Sequence, residues 1–461
     1  MSTPEARFDA YISRLGSVLG HADRMEPFRH YCTGLLLPVA RKSVEPMAAH
    51  LAPQRVRSEH QRLHHFVADA PWSDTAMLAE VRDHVLERVA QRAGVPEVLI
   101  VDDTGFPKKG RHSVGVTRQY CGQLGKQDNC QVAVSVSVAN EAFSLPVGWR
   151  LYLHESWVGD AERRRKAKVP EGIEFATKPQ IALQLIEQER ARRDSPRIVL
   201  ADAGYGVDTA FRDQLAAWGL QYVVGVTGAV SLWPPGQVPL TAPAWSGRGR
   251  RPKLLQRNDA HKPVSAKALA LQLPRQKYRT VSWREGSNAP LSGRFAAVRV
   301  RCGHRDRERT EPHPEQWFLI EWPSEETEPT KYFLSNLPSS TPMRELVRLA
   351  KLRWRIERDY QDLKQEFGLG HFEGRSWRGF HHHASLCIAA YAFLMGERIA
   401  GGKKNFAASR PCKQPALPES YRPRGSSAAT PPARLDTHAA IALDRSADST
   451  PASLPVLRKQ A

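Results

Sequence analysis

The sequence lacks any long uncharged apolar run. No stretch approaches the roughly 18 apolar residues of a membrane-spanning helix, although hydrophobic residues make up 41% of the 461 positions. The start, MSTPEARFDAYISRL, also lacks the charged-then-apolar order of a secretion signal. We therefore expect a globular protein of the cytoplasm that has no membrane as its partner.

Cysteine is scarce and scattered. The six cysteines are too far apart in sequence for a disulfide framework or a CxxC zinc site, and they are Cys32, Cys121, Cys130, Cys302, Cys387 and Cys412. We expect them to be reduced and structural.

Acidic residues are in short supply relative to basic ones. Lys and Arg number 67 against 48 Asp and Glu, which gives a net charge of +19. Such an excess favours a polyanionic partner, because neutralising phosphates releases counterions. Nucleic acid is the leading candidate; a basic protein merely kept soluble by its charge and an anionic membrane surface are the alternatives.

The hydrophobic periodicity changes along the chain. Residues 1–92 have helical spacing, as at Phe8, Tyr11 and Leu15, and predict an all-helical N-terminal domain. Its middle carries basic residues that suit DNA binding, with a solvated helix face as the alternative; they are Arg41, Lys42, Arg55, Arg57, His60, Arg62, His64 and His65.

Strand patterns begin near Glu97. Three antiparallel strands followed by alternating helix and strand over 93–228 predict a mixed α/β sheet, in the order of a ribonuclease H-like fold. Residues 229–330 indicate a β-rich insertion, and 331–400 complete the core. Residues 401–461 contain eight prolines between Pro411 and Pro455 and predict a disordered, basic tail.

Two apolar strands each end in an acid. Val98–Val101 leads into Asp102 and Asp103, and Arg197–Leu200 leads through Ala201 into Asp202, followed by the glycine-rich Ala-Gly-Tyr-Gly. Asp102 and Asp103 fall on opposite faces of a strand, and we select Asp102 as the metal ligand. A strand-end aspartate that caps a turn is the alternative. No GxxxxGK[ST] loop follows either strand, so a phosphate-cradling loop is not supported.

A third acid lies on a basic helix. The pattern predicts one long helix from Thr341 through Phe367, with Thr341 as N-cap and Pro342 in the first helical position. Arg353, Glu357 and Lys364 share one stripe of this helix. An ion-pair ladder at the surface is the alternative; a metal-bound phosphodiester needs the same grouping of one carboxylate and two cations.

The stretch LRWRIERDYQDLKQEFGLGHFEGRSWRG, with Arg353-x3-Glu357-x6-Lys364, resembles the signature of DDE transposases of bacterial insertion sequences, in the branch with a β-strand insertion. VDDTGFPKKG and LADAGYG resemble the two aspartate segments of that family. The resemblance runs from about Glu97 to Leu394. One departure is Ala350, where the family has a tyrosine.

The resemblance implies that Asp102, Asp202 and Glu357 are catalytic and hold two Mg²⁺ ions, for which Mn²⁺ could substitute. It also implies double-stranded DNA partners, namely terminal inverted repeats and target DNA, and a homodimer in the synaptic complex. Arg353 and Lys364 are expected to bind phosphate, and Lys108, Lys109 and Arg111 to contact DNA. The alternatives are an inactive DNA-binding protein of transposase origin and a metal-dependent nuclease without strand transfer.

Overall fold

The computed structural model describes residues 3–284 and 290–401. Most of the predicted tail, residues 402–461, lies outside the described residues. In the part that the structure describes, no helix has the length and apolarity of a membrane span.

The N-terminal region is helical, as its periodicity predicts. Its helices are α1 (Pro4–Gly16), α2 (Met25–Leu36), α3 (Val44–Leu51), α4 (Val56–Ala68) and α5 (Asp74–Ala93). Side chains cap two of them, because the Thr3 hydroxyl accepts from the Ala6 amide (3.2 Å) and the Ser73 hydroxyl accepts from the Ala76 amide (3.1 Å). These helices pack around α14 (Trp377–Ala400), a helix buried over most of its length.

A large mixed sheet forms the rest of the molecule. Its strands are β1 (Val98–Pro107), β2 (Thr117–Cys121), β3 (Lys126–Ala139), β4 (Ser144–Leu151), β5 (Ile198–Ala201), β6 (Gln221–Val226), β7 (Ser231–Trp233), β8 (Val264–Ser265), β9 (Arg279–Arg284), β10 (Leu291–Cys302), β11 (Gln316–Glu321) and β12 (Lys331–Ser335). The order is β2-β3-β1-β5-β6-β12-β11-β10-β7-β8, with β4 on β3 and β9 on β10. The strands predicted for the insertion thus extend the sheet through β12.

Helices cover the sheet between the strands. They are α6 (Glu155–Val158), α7 (Ala161–Lys166), α8 (Lys178–Arg190), α9 (Ala203–Gly206), α10 (Thr209–Ala217), α11 (Ala266–Gln272), α12 (Met343–Leu352) and α13 (Trp354–Gln365). The observed class is α/β with a mixed sheet, consistent with a ribonuclease H-like fold.

The prediction of a single long helix from Thr341 to Phe367 was wrong. The structure has two helices, α12 and α13, that meet at Arg353. Arg353 keeps helical angles (φ −55°, ψ −25°), but the Ile356 amide donates to the Arg353 carbonyl (3.2 Å), three residues back. The N-cap is Pro342 instead of Thr341, because the extended backbone of Pro342 (ψ 149°) lies outside the helix.

The prediction that the first strand ends at Asp102 was also wrong. β1 continues to Pro107, because β3 pairs antiparallel with all ten of its residues. This pairing joins residues that are 23 positions apart at Pro107 and Cys130 and 41 apart at Val98 and Ala139, so the local Asp-Asp-Thr-Gly turn signal did not reveal it.

The three consecutive histidines of α14 are structural. His381, His382 and His383 are buried, and each ring bonds a backbone carbonyl. His383 also bonds the hydroxyl of Tyr31 on α2 (2.9 Å). These contacts tie α14 to the N-terminal helices.

Candidate active site

Asp102 and Asp202 come directly after the last paired residues of two neighbouring parallel strands. β1 and β5 run side by side, and their last paired residues are Val101 and Ala201. Neighbouring strands are about 4.8 Å apart, so the two aspartates leave the pair next to each other. Asp202 also caps α9, since its Oδ1 accepts from the Gly204 amide (2.8 Å).

The surroundings of the Asp102 carboxyl group disfavour its charged form. The pKa of Asp102 is raised to about 7, chiefly by burial; Arg353 acts to lower it, and the charges of Asp202 and Asp103 act to raise it. A second cation beside Asp102 would therefore favour the charged form of this carboxyl group.

Arg353 links the strand acid to the helix acid. Its Nη1 donates to Asp102 Oδ2 (2.7 Å) and its Nη2 donates to Glu357 Oε1 (2.5 Å). Burial acts to lower the pKa of Arg353, but Asp102, Glu357 and Asp202 together raise it. One guanidinium therefore lies in the field of all three predicted catalytic acids.

Lys364 reaches β1 three residues beyond Asp102. Its Nζ donates to the Gly105 carbonyl (2.8 Å) and to Gln123 Oε1 (2.9 Å). Burial lowers the pKa of Lys364 to about 8. The lysine thus flanks the acids, on the same helix as Glu357.

The three residues of the predicted DNA-contacting loop differ in their exposure to solvent. Lys109 and Arg111 are exposed. Lys108 instead points into the protein, where its Nζ donates to the Phe372 carbonyl (2.9 Å). Of the three residues predicted to contact DNA, Lys109 and Arg111 therefore have side chains exposed to solvent, and Lys108 does not.

Sequence reasoning missed Lys178 and Tyr205. Asp103 Oδ2 pairs with Lys178 Nζ (3.0 Å) and accepts from the Tyr205 hydroxyl (3.4 Å). Asp102 and Asp103 thus have different partners, as alternation along a strand requires. The partners come from 75 and 102 positions away, so no local pattern pointed to them.

The donor atoms suit a hard divalent cation, but the acids are not gathered as a finished metal site. Among residues 3–284 and 290–401, no three His, Cys, Asp or Glu side chains lie close enough together to hold a metal ion. Arg353 instead pairs with Asp102 and Glu357. Carboxylate oxygens are the ligands that Mg²⁺ prefers, so the residues fit in chemistry, and an ion held by Asp102 and Glu357 would compete with the Arg353 guanidinium for their oxygens.

Comparison with known proteins identifies the class. A model of the family described as DDE superfamily endonuclease matches residues 14–290, which is more than half of the chain. The protein therefore belongs to the DDE superfamily endonucleases, a superfamily that generally uses divalent metal ions. The matched region contains Asp102 and Asp202, whereas Glu357 lies beyond it.

Within this class the chain is similar to the probable transposase for insertion sequence element IS701 of Microchaete diplosiphon. The two are 30% identical over 227 residues, which cover 49% of this chain and 55% of the relative. The similarity thus spans about half the length of the relative.

Proposed function

We propose that this protein is a DNA transposase that cleaves the terminal inverted repeats of an insertion sequence and joins the freed ends to target DNA. One observation carries the proposal: Asp102 and Asp202 directly follow the paired residues Val101 and Ala201 of the neighbouring strands β1 and β5, and Arg353 connects Asp102 to Glu357. The family membership and the similarity to a probable transposase support the same reaction class.

The three acids have named roles in this proposal. Asp102, Asp202 and Glu357 would hold two Mg²⁺ ions, for which Mn²⁺ could substitute. Two such ions, when bound, supply activation of the attacking oxygen and stabilisation of the leaving oxygen in an in-line displacement. The same acids would serve hydrolysis and strand transfer, because only the attacking nucleophile differs between the two, water in hydrolysis and a freed 3′-hydroxyl in strand transfer.

The cations position the DNA backbone. Arg353 would exchange its carboxylate partners for a phosphate, to which a guanidinium binds in a bidentate manner. Lys364 is held close to β1 by Gly105 and Gln123 and would contact a neighbouring phosphate, while Lys109 and Arg111 would follow the strand outward. Lys108 would have to leave Phe372 to join them.

The domain organisation completes the proposal. Residues 93–228 and 331–400 would form a ribonuclease H-like core, 229–330 its β-rich insertion and 1–92 a DNA-binding domain. The α4 surface suits that last role, because Arg57, Gln61 and His64 are exposed there and Glu59, its single acid, is buried. Synapsis of two element ends implies a homodimer on DNA.

The test uses a supercoiled plasmid that carries the sequences flanking the coding region, incubated with Mg²⁺ and the full chain. We expect cleavage at the element ends and strand-transfer products. Glu357→Gln should abolish both, whereas Glu366→Gln, near the end of the same helix, should retain them. Cleavage that persists in Glu357→Gln would contradict the site assignment.

The products also separate the alternatives. Hydrolysis without strand transfer would identify a metal-dependent nuclease. Binding of the ends without any cleavage would identify an inactive DNA-binding protein of transposase origin. Retention of all three acids favours the active transposase over the latter.

A further inference from the structure

β3 carries two buried serines where a buried strand usually has apolar side chains. Ser135 and Ser137 alternate with Val134, Val136 and Val138, and all five are fully buried. Successive side chains of a strand point to opposite faces, so the two hydroxyls share one face. A buried hydroxyl needs a hydrogen-bond partner, because burial without one costs free energy.

The partners lie on α13, the helix of Glu357. Ser135 Oγ bonds the hydroxyl of Tyr360 (2.7 Å), and Ser137 Oγ donates to Asp359 Oδ2 (3.4 Å). Asp359 Oδ2 also accepts from Ser144 Oγ on β4 (2.5 Å). Two consecutive helix residues are therefore anchored to two strands of the sheet.

A further bond completes the Asp359 network. The Tyr391 hydroxyl on α14 donates to Asp359 Oδ1 (2.9 Å). Both oxygens of the buried carboxyl group thus have partners, as a buried polar network requires. The helix is held by directional bonds as well as by the packing of Ile356 and Leu363.

The hydrogen bond between Tyr360 and Ser135 has a predicted catalytic acid next to each of its two residues. In the antiparallel pairing of β1 and β3, Ser135 lies directly opposite Asp102, and directly opposite residues project from the same face. Tyr360 follows Glu357 by three residues, so the two are neighbours on the helix surface. The bond from Ser135 to Tyr360 therefore joins the strand position beside Asp102 to the helix turn of Glu357.

We infer that Tyr360 is a positioning residue that fixes the separation of Glu357 from Asp102 through its hydrogen bond to Ser135. This inference rests on the proposed function, since it assumes that the two acids share metal ions. Apolar packing alone permits the helix to shift along the sheet, whereas a hydrogen bond fails outside a narrow range of distance and angle. Residues that orient metal ligands in this way typically change metal affinity by about 10–100-fold when mutated.

The test compares two buried tyrosines. Tyr360→Phe removes the bond to Ser135, and Tyr11→Phe removes a similar bond from the Tyr11 hydroxyl to the Ala389 carbonyl (2.9 Å), between α1 and α14. Mn²⁺ is titrated calorimetrically into the full chain, and thermal unfolding is recorded for each variant. We expect both variants to lose similar stability, but only Tyr360→Phe to bind Mn²⁺ about tenfold or more weakly than the wild type.

Ser135→Ala removes the same hydrogen bond by deleting its partner on the sheet. It should weaken Mn²⁺ binding by the same factor as Tyr360→Phe, and the double variant should lose no more than either single one, because all three remove one interaction. This second route keeps the inference testable should Tyr360→Phe fold poorly.

The outcomes separate the inference from the function on which it rests. Wild type that binds Mn²⁺, together with unchanged binding by Tyr360→Phe or Ser135→Ala, would overturn the inference and leave the proposed function intact. Equal weakening by Tyr11→Phe would also overturn it, since the effect would then be general destabilisation. Wild type without saturable Mn²⁺ binding would contradict the metal site itself.

Discussion

At the scale of single residues, the ionisation of the Asp102 carboxyl group depends on opposing electrostatic effects. Burial and two neighbouring acids oppose its ionisation, and Arg353 is the cation that counters them. Arg353 is itself only 26% exposed and Asp102 14%, so solvent screens this pair less than an ordinary surface ion pair. The stability of the fold near the site and its affinity for a divalent cation should therefore be linked.

Arg353→Gln should reveal this link. Removing the cation leaves a buried carboxyl group without its charged partner, which we expect to lower the free energy of unfolding by about 2 kcal/mol, somewhat below the loss from breaking a fully buried pair. Mn²⁺ should stabilise the variant more than the wild type, because no guanidinium competes for Asp102. Thermal unfolding with and without Mn²⁺ measures both effects.

Arg358→Gln is the matched control for that experiment. Arg358 pairs with Asp362 (2.9 Å) on the same helix, at a more exposed position. Its loss should lower stability less and leave the response to Mn²⁺ as in the wild type. An equal response of the two variants would contradict the competition between guanidinium and metal.

His383 should make the fold sensitive to acid. Burial lowers its pKa to about 4, whereas an unfolded histidine titrates near 6.5. Between these values the unfolded chain binds more protons, so stability is complete above pH 6.5 and falls as the pH drops toward 4. For this group the loss is about 3 kcal/mol.

Denaturant unfolding at several pH values between 7.5 and 4 checks this prediction. His383→Gln should lose correspondingly less stability over that range, while His64→Gln, at an exposed position, should follow the wild type. A variant that loses stability in parallel with the wild type would show that the His383 ring takes up its proton as readily in the folded chain as in the unfolded one.

At the scale of elements, local patterns predicted the type and order of most helices and strands. The alternation of helix and strand predicted for the second part of 93–228 is present as α8, β5, α10 and β6, and residues 229–330 contain strands β7 to β11. The continuation of β1 and the break at Arg353 were not predicted, because the first depends on pairing with β3 and the second coincides with a contact to Asp102 251 positions away. The sequence also did not predict the roles of Lys178, Gln123 and Ser135, because their contacts join residues that are far apart in the chain.

The turn after Asp202 depends on close approach of two backbones. A Cβ added to Gly206, at the end of α9, would overlap the carbonyl oxygen of Gly225 on β6. We therefore expect Gly206→Ala to lower the free energy of unfolding by about 2 kcal/mol or more and to reduce DNA cleavage, because α9 carries the cap formed by Asp202.

Gly159→Ala is the control for this substitution. Gly159 has ordinary backbone angles (φ −79°, ψ −8°), and no atom lies within 4 Å of an added Cβ. Chemical denaturation should show a change of less than about 0.5 kcal/mol. Equal stability of the two variants would show that α9 moves freely away from β6.

At the scale of the whole molecule, the described residues share a continuous hydrophobic core. It extends from the N-terminal helices through α14 to the sheet. The site acids come from two neighbouring strands and from a helix anchored on the same sheet, so their separation depends on the fold as a unit. The two apolar strands that lead to Asp102 and Asp202 were predictable from sequence, whereas the bond of Arg353 to Asp102 was not.

The most direct test of the account is a crystal structure of the protein grown or soaked with Mn²⁺, with anomalous scattering used to locate the ions. We predict manganese peaks within coordination distance of Asp102, Asp202 and Glu357, with the Arg353 guanidinium withdrawn from Asp102. Manganese bound elsewhere, with Arg353 still bridging Asp102 and Glu357 at saturating Mn²⁺, would contradict the claim that these three acids form the metal centre.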